Sequence, residues 1–125
     1  MSKYILLLFI ASLFYSRLYA EKILFEKVLI TGIENPVSFT LSLDGLTLII
    51  LDRPSKGFPV VKQASRLKKE TAWSAAIPIP ALNKHIDKTT NIDGLFISYD
   101  GSKLYFAANF PGSHGGMDIY YCTLK

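Results

Sequence analysis

The chain has 125 residues, 50% of them hydrophobic and 19% charged, which is enough for one small globular domain at most. Its 14 Lys and Arg against 10 Asp and Glu give a formal net charge of +4; without residues 1–20, which hold Lys3 and Arg17 and no acid, 12 basic and 10 acidic residues leave +2, too near balance to indicate a nucleic-acid-binding protein. The single cysteine, Cys122, excludes an intrachain disulfide, and we expect it to be a small apolar core residue.

The first 20 residues have the layout of a secretory signal peptide. A basic start at Lys3 is followed by a mostly apolar run over residues 4–15, and the region ends at the small residue Ala20. This run is shorter than the roughly 20 apolar residues that span a bilayer. We therefore predict a signal helix over residues 1–20, cleaved to leave a mature domain of residues 21–125 with no membrane span. An uncleaved N-terminal anchor is the alternative.

A repeat with a period of 56 residues follows. Residues 42–48 and 98–104 share Ser, Asp, Gly and Leu at the same places. Asp-Gly between two strand-like runs predicts a hairpin turn, because Gly tolerates positive φ and Asp accepts hydrogen bonds from nearby backbone amides. One hairpin would fit any β-protein, whereas the matched pair indicates two copies of a repeat, at about 36–83 and 93–125.

Each copy reads as strand, Asp-Gly turn, strand, Gly/Pro loop and strand. The predicted strands are 37–41, 48–51 and 58–63 in the first copy, and 95–97, 104–107 and 117–122 in the second. A fourth, proline-broken strand over 73–83 suits a sheet edge. The second copy has no fourth strand, and residues 23–30 could supply one to a following unit, in another copy of the chain or in this one. Four short antiparallel strands per repeat are typical of a propeller blade.

The repeat resembles the WD-like repeats of TolB-type periplasmic β-propellers and related cell-envelope proteins. The resemblance is most specific over residues 73–121: Trp-Ser, then Leu-Asn, then Ser-x-Asp-Gly with Leu-Tyr-Phe, a Gly-Gly bend and Asp-Ile-Tyr. The positions that match the motif, which the resemblance implies to be structural, are Ser42, Asp44, Gly45, Leu48, Trp73, Asn83, Ser98, Asp100, Gly101, Leu104, Tyr105, Phe106, Asn109, Gly115, Gly116, Asp118, Ile119 and Tyr120.

The resemblance implies an all-β fold of four-stranded antiparallel propeller blades, about two of them and therefore an incomplete propeller. It brings no catalytic residue, metal or cofactor. We expect an exported, non-enzymatic protein-binding or scaffold module in the cell envelope, secreted or periplasmic. The expected partner is a protein or a second copy of the chain, with envelope polysaccharide as a further possibility and no nucleic acid. The alternatives are an accessory piece of a peptidase or glycan-acting enzyme, or a truncated gene product.

Two blades leave apolar faces open, since a closed propeller has at least about four blades. We therefore expect the mature chain either to assemble into a homo-oligomeric ring or to aggregate.

The sequence gives no pattern typical of a metal site or of general acid–base catalysis. His85 and His114 have no further ligand at metal-binding spacing, and Asp100 is expected to be used by its turn. The basic cluster reads as solvated charge: Lys62, Arg66, Lys68 and Lys69.

Aromatic residues crowd the second copy, and strand alternation puts Tyr105 and Phe106 on opposite faces. Packing between blades is the favoured interpretation, and an exposed patch for sugar or protein is the alternative.

Overall fold

The computed structural model describes residues 24–124 as two antiparallel β-sheets and one short helical turn. Sheet A has the order β1 (Pro36–Leu41), β2 (Thr47–Asp52), β3 (Val60–Ser65) and β4 (Ile77–Pro78). Helix α1 (Pro80–Asn83) follows it. Sheet B has the order β5 (Ile92–Ile97), β6 (Lys103–Ala108) and β7 (Asp118–Thr123). The predicted signal helix, residues 1–20, lies outside the described residues.

The mostly β architecture is confirmed, and the six main strands lie within three residues of their predicted positions. The predicted fourth strand over 73–83 is wrong in length, because only Ile77–Pro78 pairs with β3. Pro80 then opens the helical turn, where its missing N–H and fixed φ suit the first helical position. Residues 24–30 pair with no strand of this chain, so an outer strand from 23–30 within the same chain is not formed in the described part; such a strand supplied to another copy stays a prediction.

The two Asp-Gly turns have the same hydrogen bonds. The carboxylate of each Asp accepts a bond from the Ser hydroxyl two residues earlier, at 2.6 Å for Ser42 to Asp44 and 2.7 Å for Ser98 to Asp100. Each carboxylate also accepts the backbone N–H two residues later. Each Ser hydroxyl oxygen in turn accepts the backbone N–H at the start of the next strand, at 2.9 Å in both copies. These side-chain bonds add to the backbone bonds that close each turn, from the N–H of Gly45 to the carbonyl of Ser42 at 2.8 Å and from that of Gly101 to Ser98 at 2.9 Å.

Replacing Gly101 with valine is expected to lower the free energy of unfolding by about 1 to 3 kcal/mol. Gly101 has φ +70°, and an added Cβ would meet no other atom within 4 Å, so the cost arises from the backbone conformation alone. Thermal melts measure it. Gly101→Asn is the control, with a smaller loss because Asn tolerates positive φ. An unchanged midpoint for the valine variant would refute this assignment of the turn.

The main hydrophobic core lies between the two sheets, which pack face to face. Sheet A contributes Ile49, Leu51 and Val61, sheet B contributes Ile92, Leu95, Ile97, Leu104, Phe106 and Ala108, and the segment between the sheets contributes Leu82 and Ile86. A buried polar contact crosses the same boundary, where the hydroxyl of Thr40 accepts the backbone N–H of Ile97 at 3.0 Å. Burial of these side chains couples the two sheets.

A second, smaller core covers the opposite face of sheet A. Leu48, Ile50, Ala64 and Ala76 are buried there under Ile30, Ile33 and Trp73. The carboxylate of Asp52, fully buried at the end of β2, fixes the N-terminal segment onto this sheet. It accepts the backbone N–H of Asn35 at 2.7 Å and forms a 2.7 Å ion pair with Nζ of Lys62.

Within residues 24–124, no helix has the length and apolar character needed to cross a membrane.

Candidate functional site

Sheet B has one buried face and one exposed face. Leu104, Phe106 and Ala108 alternate along β6 and point into the main core. Tyr105 lies between them and points away from it, so the predicted separation of Tyr105 and Phe106 is confirmed. Strand pairing places Phe96 and Tyr121 on either side of Tyr105, on the same outward face.

We call this outward surface the B face and define it by Phe96, Tyr105, Ala107, Ile119 and Tyr121. Ile119 is 83% exposed and Phe96 is 63% exposed, although β-strand residues of this size are usually half buried. The rings of Tyr105 and Tyr121 lie 5.7 Å apart at 43°. Nζ of Lys103 lies 4.5 Å from the centre of the Tyr121 ring, in a cation–π contact. The B face is therefore an apolar and aromatic surface with a positive charge at Lys103, and strand pairing places the exposed Asp93 beside Ala107.

The edge of sheet B beside this face is also open. In sheet A, β3 is flanked by β4, and the side-chain amide of Asn83 extends the edge by bonding the N–H and C=O of Val61 at 2.8 and 2.7 Å. In the part of the chain that the structure describes, β7 has no neighbour on its outer side. An unpaired edge presents backbone N–H and C=O groups that another strand can bind.

A second apolar surface lies on sheet A, on the face turned away from sheet B. It forms a groove of about 330 Å³, which we call the A groove and which is lined mainly by Val28, Phe39, Leu41, Leu48, Ile50 and Trp73. Phe39 is 68% exposed, although it stands in the middle of β1. The guanidinium of Arg66 lies 4.4 Å from the centre of the Trp73 ring and closes one end of the groove.

A cavity of about 390 Å³ lies where sheet B meets the α1 region. Its aromatic wall is a cluster in which the rings of Phe106 and Phe110 are 5.9 Å apart and those of Phe110 and Tyr120 are 5.1 Å apart. The hydroxyl of Tyr120 bonds Ser113 at 2.7 Å. Burial raises the pKa of the Cys122 thiol at this wall, so Cys122 is a poor nucleophile. Aromatic rings thus pack on one another at the core-facing side of sheet B, whereas Tyr121 and Phe96 lie exposed on its other face.

The predicted basic cluster does not form a free patch. Lys62 pairs with Asp52, and Arg66 donates to the carbonyl oxygens of Gly45 and Lys69 at 2.8 and 2.6 Å. Among residues 24–124, no group of three or more His, Cys, Asp or Glu side chains could hold a metal ion.

Two further motif residues, Asn109 and Asp118, make hydrogen bonds to the backbone of neighbouring segments. The side-chain oxygen of Asn109 accepts the backbone N–H of Asn91 at 2.6 Å and ties the end of β6 to the start of β5. Asp118 accepts the backbone N–H of His114 at 2.6 Å and fixes the Gly-Gly bend, in which Gly115 and Gly116 have positive φ.

Two residues that organise these surfaces are missing from the predicted set. Phe96 stands as far before the second Asp-Gly turn as Tyr105 stands after it, so hairpin symmetry was a usable signal for their pairing. Asp52 directly follows four buried apolar residues of β2, and a carboxylate at that place signals a buried partner.

Comparison of the chain with protein-family models, with curated proteins and with solved structures gives no significant match.

Proposed function

We propose that the chain is an exported, non-enzymatic β-propeller repeat protein that acts as a protein-binding or scaffold module in the cell envelope, and that it uses the B face for binding. The observation that carries the proposal is the exposure of Phe96, Tyr105, Ile119 and Tyr121 on one rigid sheet. Aromatic side chains with little rotamer freedom are enriched at the centres of protein interfaces.

The proposed blades are sheets A and B. They are antiparallel, they follow a 56-residue repeat with matching turns, and they pack face to face as propeller blades do. Sheet A has four strands and sheet B has three. The proposed export, to the periplasm or the exterior, is supported by the signal-like composition of residues 1–20.

A protein partner is favoured over envelope polysaccharide by the geometry of the rings. The rings of Tyr105 and Tyr121 are inclined at 43° and therefore do not form one flat platform for a sugar ring. Ile119 extends the surface with an aliphatic side chain, which suits a packed protein interface.

The test is photocrosslinking in intact cells, with a photoreactive amino acid in place of Ile119 and, as the matched control, in place of Leu67. Leu67 is 89% exposed and lies outside both the B face and the A groove. We expect a protein adduct from position 119 and none from position 67. The chain should be recovered from the envelope fraction, with an intact mass that begins at or near Glu21. Recovery in the cytoplasm with Met1 retained, or equal labelling at both positions, would refute the proposed function.

A further inference from the structure

The contact between sheets A and B is asymmetric, because the two sheets use different faces. Sheet A contacts sheet B through the face that carries Ile49, Leu51 and Val61. Sheet B contacts sheet A through the face that carries Leu104 and Phe106. The contact between the sheets therefore joins two different faces, one from sheet A and one from sheet B.

By the 56-residue repeat, the B face corresponds to the face of sheet A that contacts sheet B. Ile49 corresponds to Tyr105, and Leu51 corresponds to Ala107. The third strand keeps the same face although its offset is 58 residues: Leu51 pairs with Val61 in sheet A, and Ala107 pairs with Ile119 in sheet B. In sheet A this face is buried against a neighbouring sheet, and in sheet B it is exposed.

By the same repeat, the A groove corresponds to the face of sheet B that contacts sheet A. Leu48 and Ile50 correspond to Leu104 and Phe106, which form the face of sheet B that contacts sheet A. Phe39 corresponds to Leu95, but the two side chains differ in burial. Leu95 is 7% exposed against sheet A, whereas Phe39 is 68% exposed.

The N-terminal segment covers part of this face of sheet A, where it buries Leu48 and Ile50, but it leaves Phe39 exposed. Ile30 packs on the A groove side of sheet A, and its counterpart 56 residues later is Ile86. Ile86 lies in the core between the two sheets without displacing sheet A. The segment around Ile30 is therefore part of the interface surface and leaves room for a sheet against Phe39.

We propose that the B face of one chain docks onto the A groove of a second copy, head to tail, in the same way as sheet A docks onto sheet B within the chain. The partner is a second copy because one chain carries both unlike halves of a contact that it already makes once internally. The B face is exposed, and in the A groove Phe39 and Leu41 are exposed beside Leu48 and Ile50, which the chain itself covers. This contact continues the established stacking of the sheets, and it is heterologous, so successive copies form a closed ring or an open array. The inference rests on the proposed binding role of the B face and names its partner.

The experiment is sedimentation velocity over a concentration series on the chain in the length at which it is recovered from cells. Three variants carry the same charge at exposed apolar positions: Ile119→Glu on the B face, Phe39→Glu in the A groove, and Leu67→Glu as the matched control. We expect the unmodified chain and Leu67→Glu to self-associate alike. Ile119→Glu and Phe39→Glu should each raise the dissociation constant by roughly tenfold or more, because a glutamate would be buried in an apolar contact. Circular dichroism of each variant confirms that it is folded.

Mixing the two interface variants tests the head-to-tail geometry. Ile119→Glu keeps an intact A groove and Phe39→Glu keeps an intact B face, so an equimolar mixture should form a dimer and nothing larger. Self-association of Phe39→Glu alone at the unmodified level would indicate that two B faces meet symmetrically, and it would overturn the inference. A monomeric unmodified chain would overturn it too. A chain that is monomeric yet crosslinked to another protein from position 119 separates the two proposals, because only the self-docking one then fails.

Discussion

Replacing Asp52 with alanine is expected to lower the free energy of unfolding by about 3 kcal/mol, measured by urea denaturation. The carboxylate is fully buried, pairs with Nζ of Lys62 at 2.7 Å and accepts the backbone N–H groups of Glu34 and Asn35. Alanine removes the acceptor for both amides and the counter-ion of Lys62, whose side chain is only 17% exposed. The N-terminal segment should loosen from sheet A as a result.

The pH dependence of the same site supplies the check. Burial disfavours the charged Asp52, but the bonds from Lys62, Asn35 and Glu34 outweigh it and hold the pKa of Asp52 below its ordinary value. A carboxyl whose folded-state pKa is lowered adds stability above its unfolded pKa and loses that stability as the pH falls through the folded pKa. The difference in unfolding free energy between the unmodified chain and Asp52→Asn should thus be largest near neutral pH and shrink below about pH 4.

The comparison with Asp52→Asn removes the contributions of carboxyls remote from Asp52. Glu34, whose pKa is lowered chiefly by its hydrogen bond with Ser55, is affected by the charge of Asp52 and stays in the difference. The pKa values of Asp44 and Asp87 are lowered by their own hydrogen bonds, chiefly from the side chains of Ser42 and Thr89, but both groups are present in both proteins. Their contributions therefore cancel in the difference. A difference that is the same at pH 7 as at pH 3 would contradict the role assigned to Asp52.

Replacing Leu104 with alanine is expected to cost about 2 to 5 kcal/mol of unfolding free energy. Leu104 is fully buried in the core shared by the two sheets, where the lost methyl groups leave a cavity bounded by both. The control is Leu67→Ala, which makes the same chemical change at a side chain that is 89% exposed. We expect it to change stability by no more than about 0.5 kcal/mol. Equal losses for the two variants would contradict the assigned burial of sheet B.

The same variant tests whether the sheets unfold together. The single tryptophan, Trp73, packs on the face of sheet A that is turned away from Leu104. If the common core couples the sheets, Leu104→Ala should shift the fluorescence transition of Trp73 and the circular dichroism transition of the strands by the same amount. A shift in the circular dichroism transition alone would mean that sheet B unfolds independently of sheet A.

Local features of this protein were accessible from the sequence, and long-range ones were not. The Asp-Gly turns close through contacts within five residues, as the bond from Lys103 to Ser98 illustrates, so their chemistry can be read directly. The shortening of β4 could not be predicted in the same way. Its strand pairing depends on where β3 ends, and the helical turn at Pro80 depends on Asn83 reaching the backbone of Val61, 22 residues away.

In the candidate site, too, the sequence predicted local features and not the contacts between sheets. Alternation along β6 predicted that Tyr105 and Phe106 lie on opposite faces, but it did not predict which one would be buried. That choice was made by sheet A, which offers Ile49 and Leu51 to one face of sheet B and nothing to the other. The ion pair of Asp52 and Lys62 likewise depends on the pairing of β2 with β3.

The sequence by itself determined the repeat, its turns, its six main strands and the alternation of side chains along them, because these depend on backbone conformation and on neighbours a few residues apart. Only the tertiary structure decided which faces are covered. Burial depends on the sheet that packs opposite, and apolar side chains occur both on the exposed B face and in the A groove and on the faces that are buried. Phe39 and Leu95 stand at equivalent repeat positions and are both apolar, yet only Leu95 has a sheet packed against it.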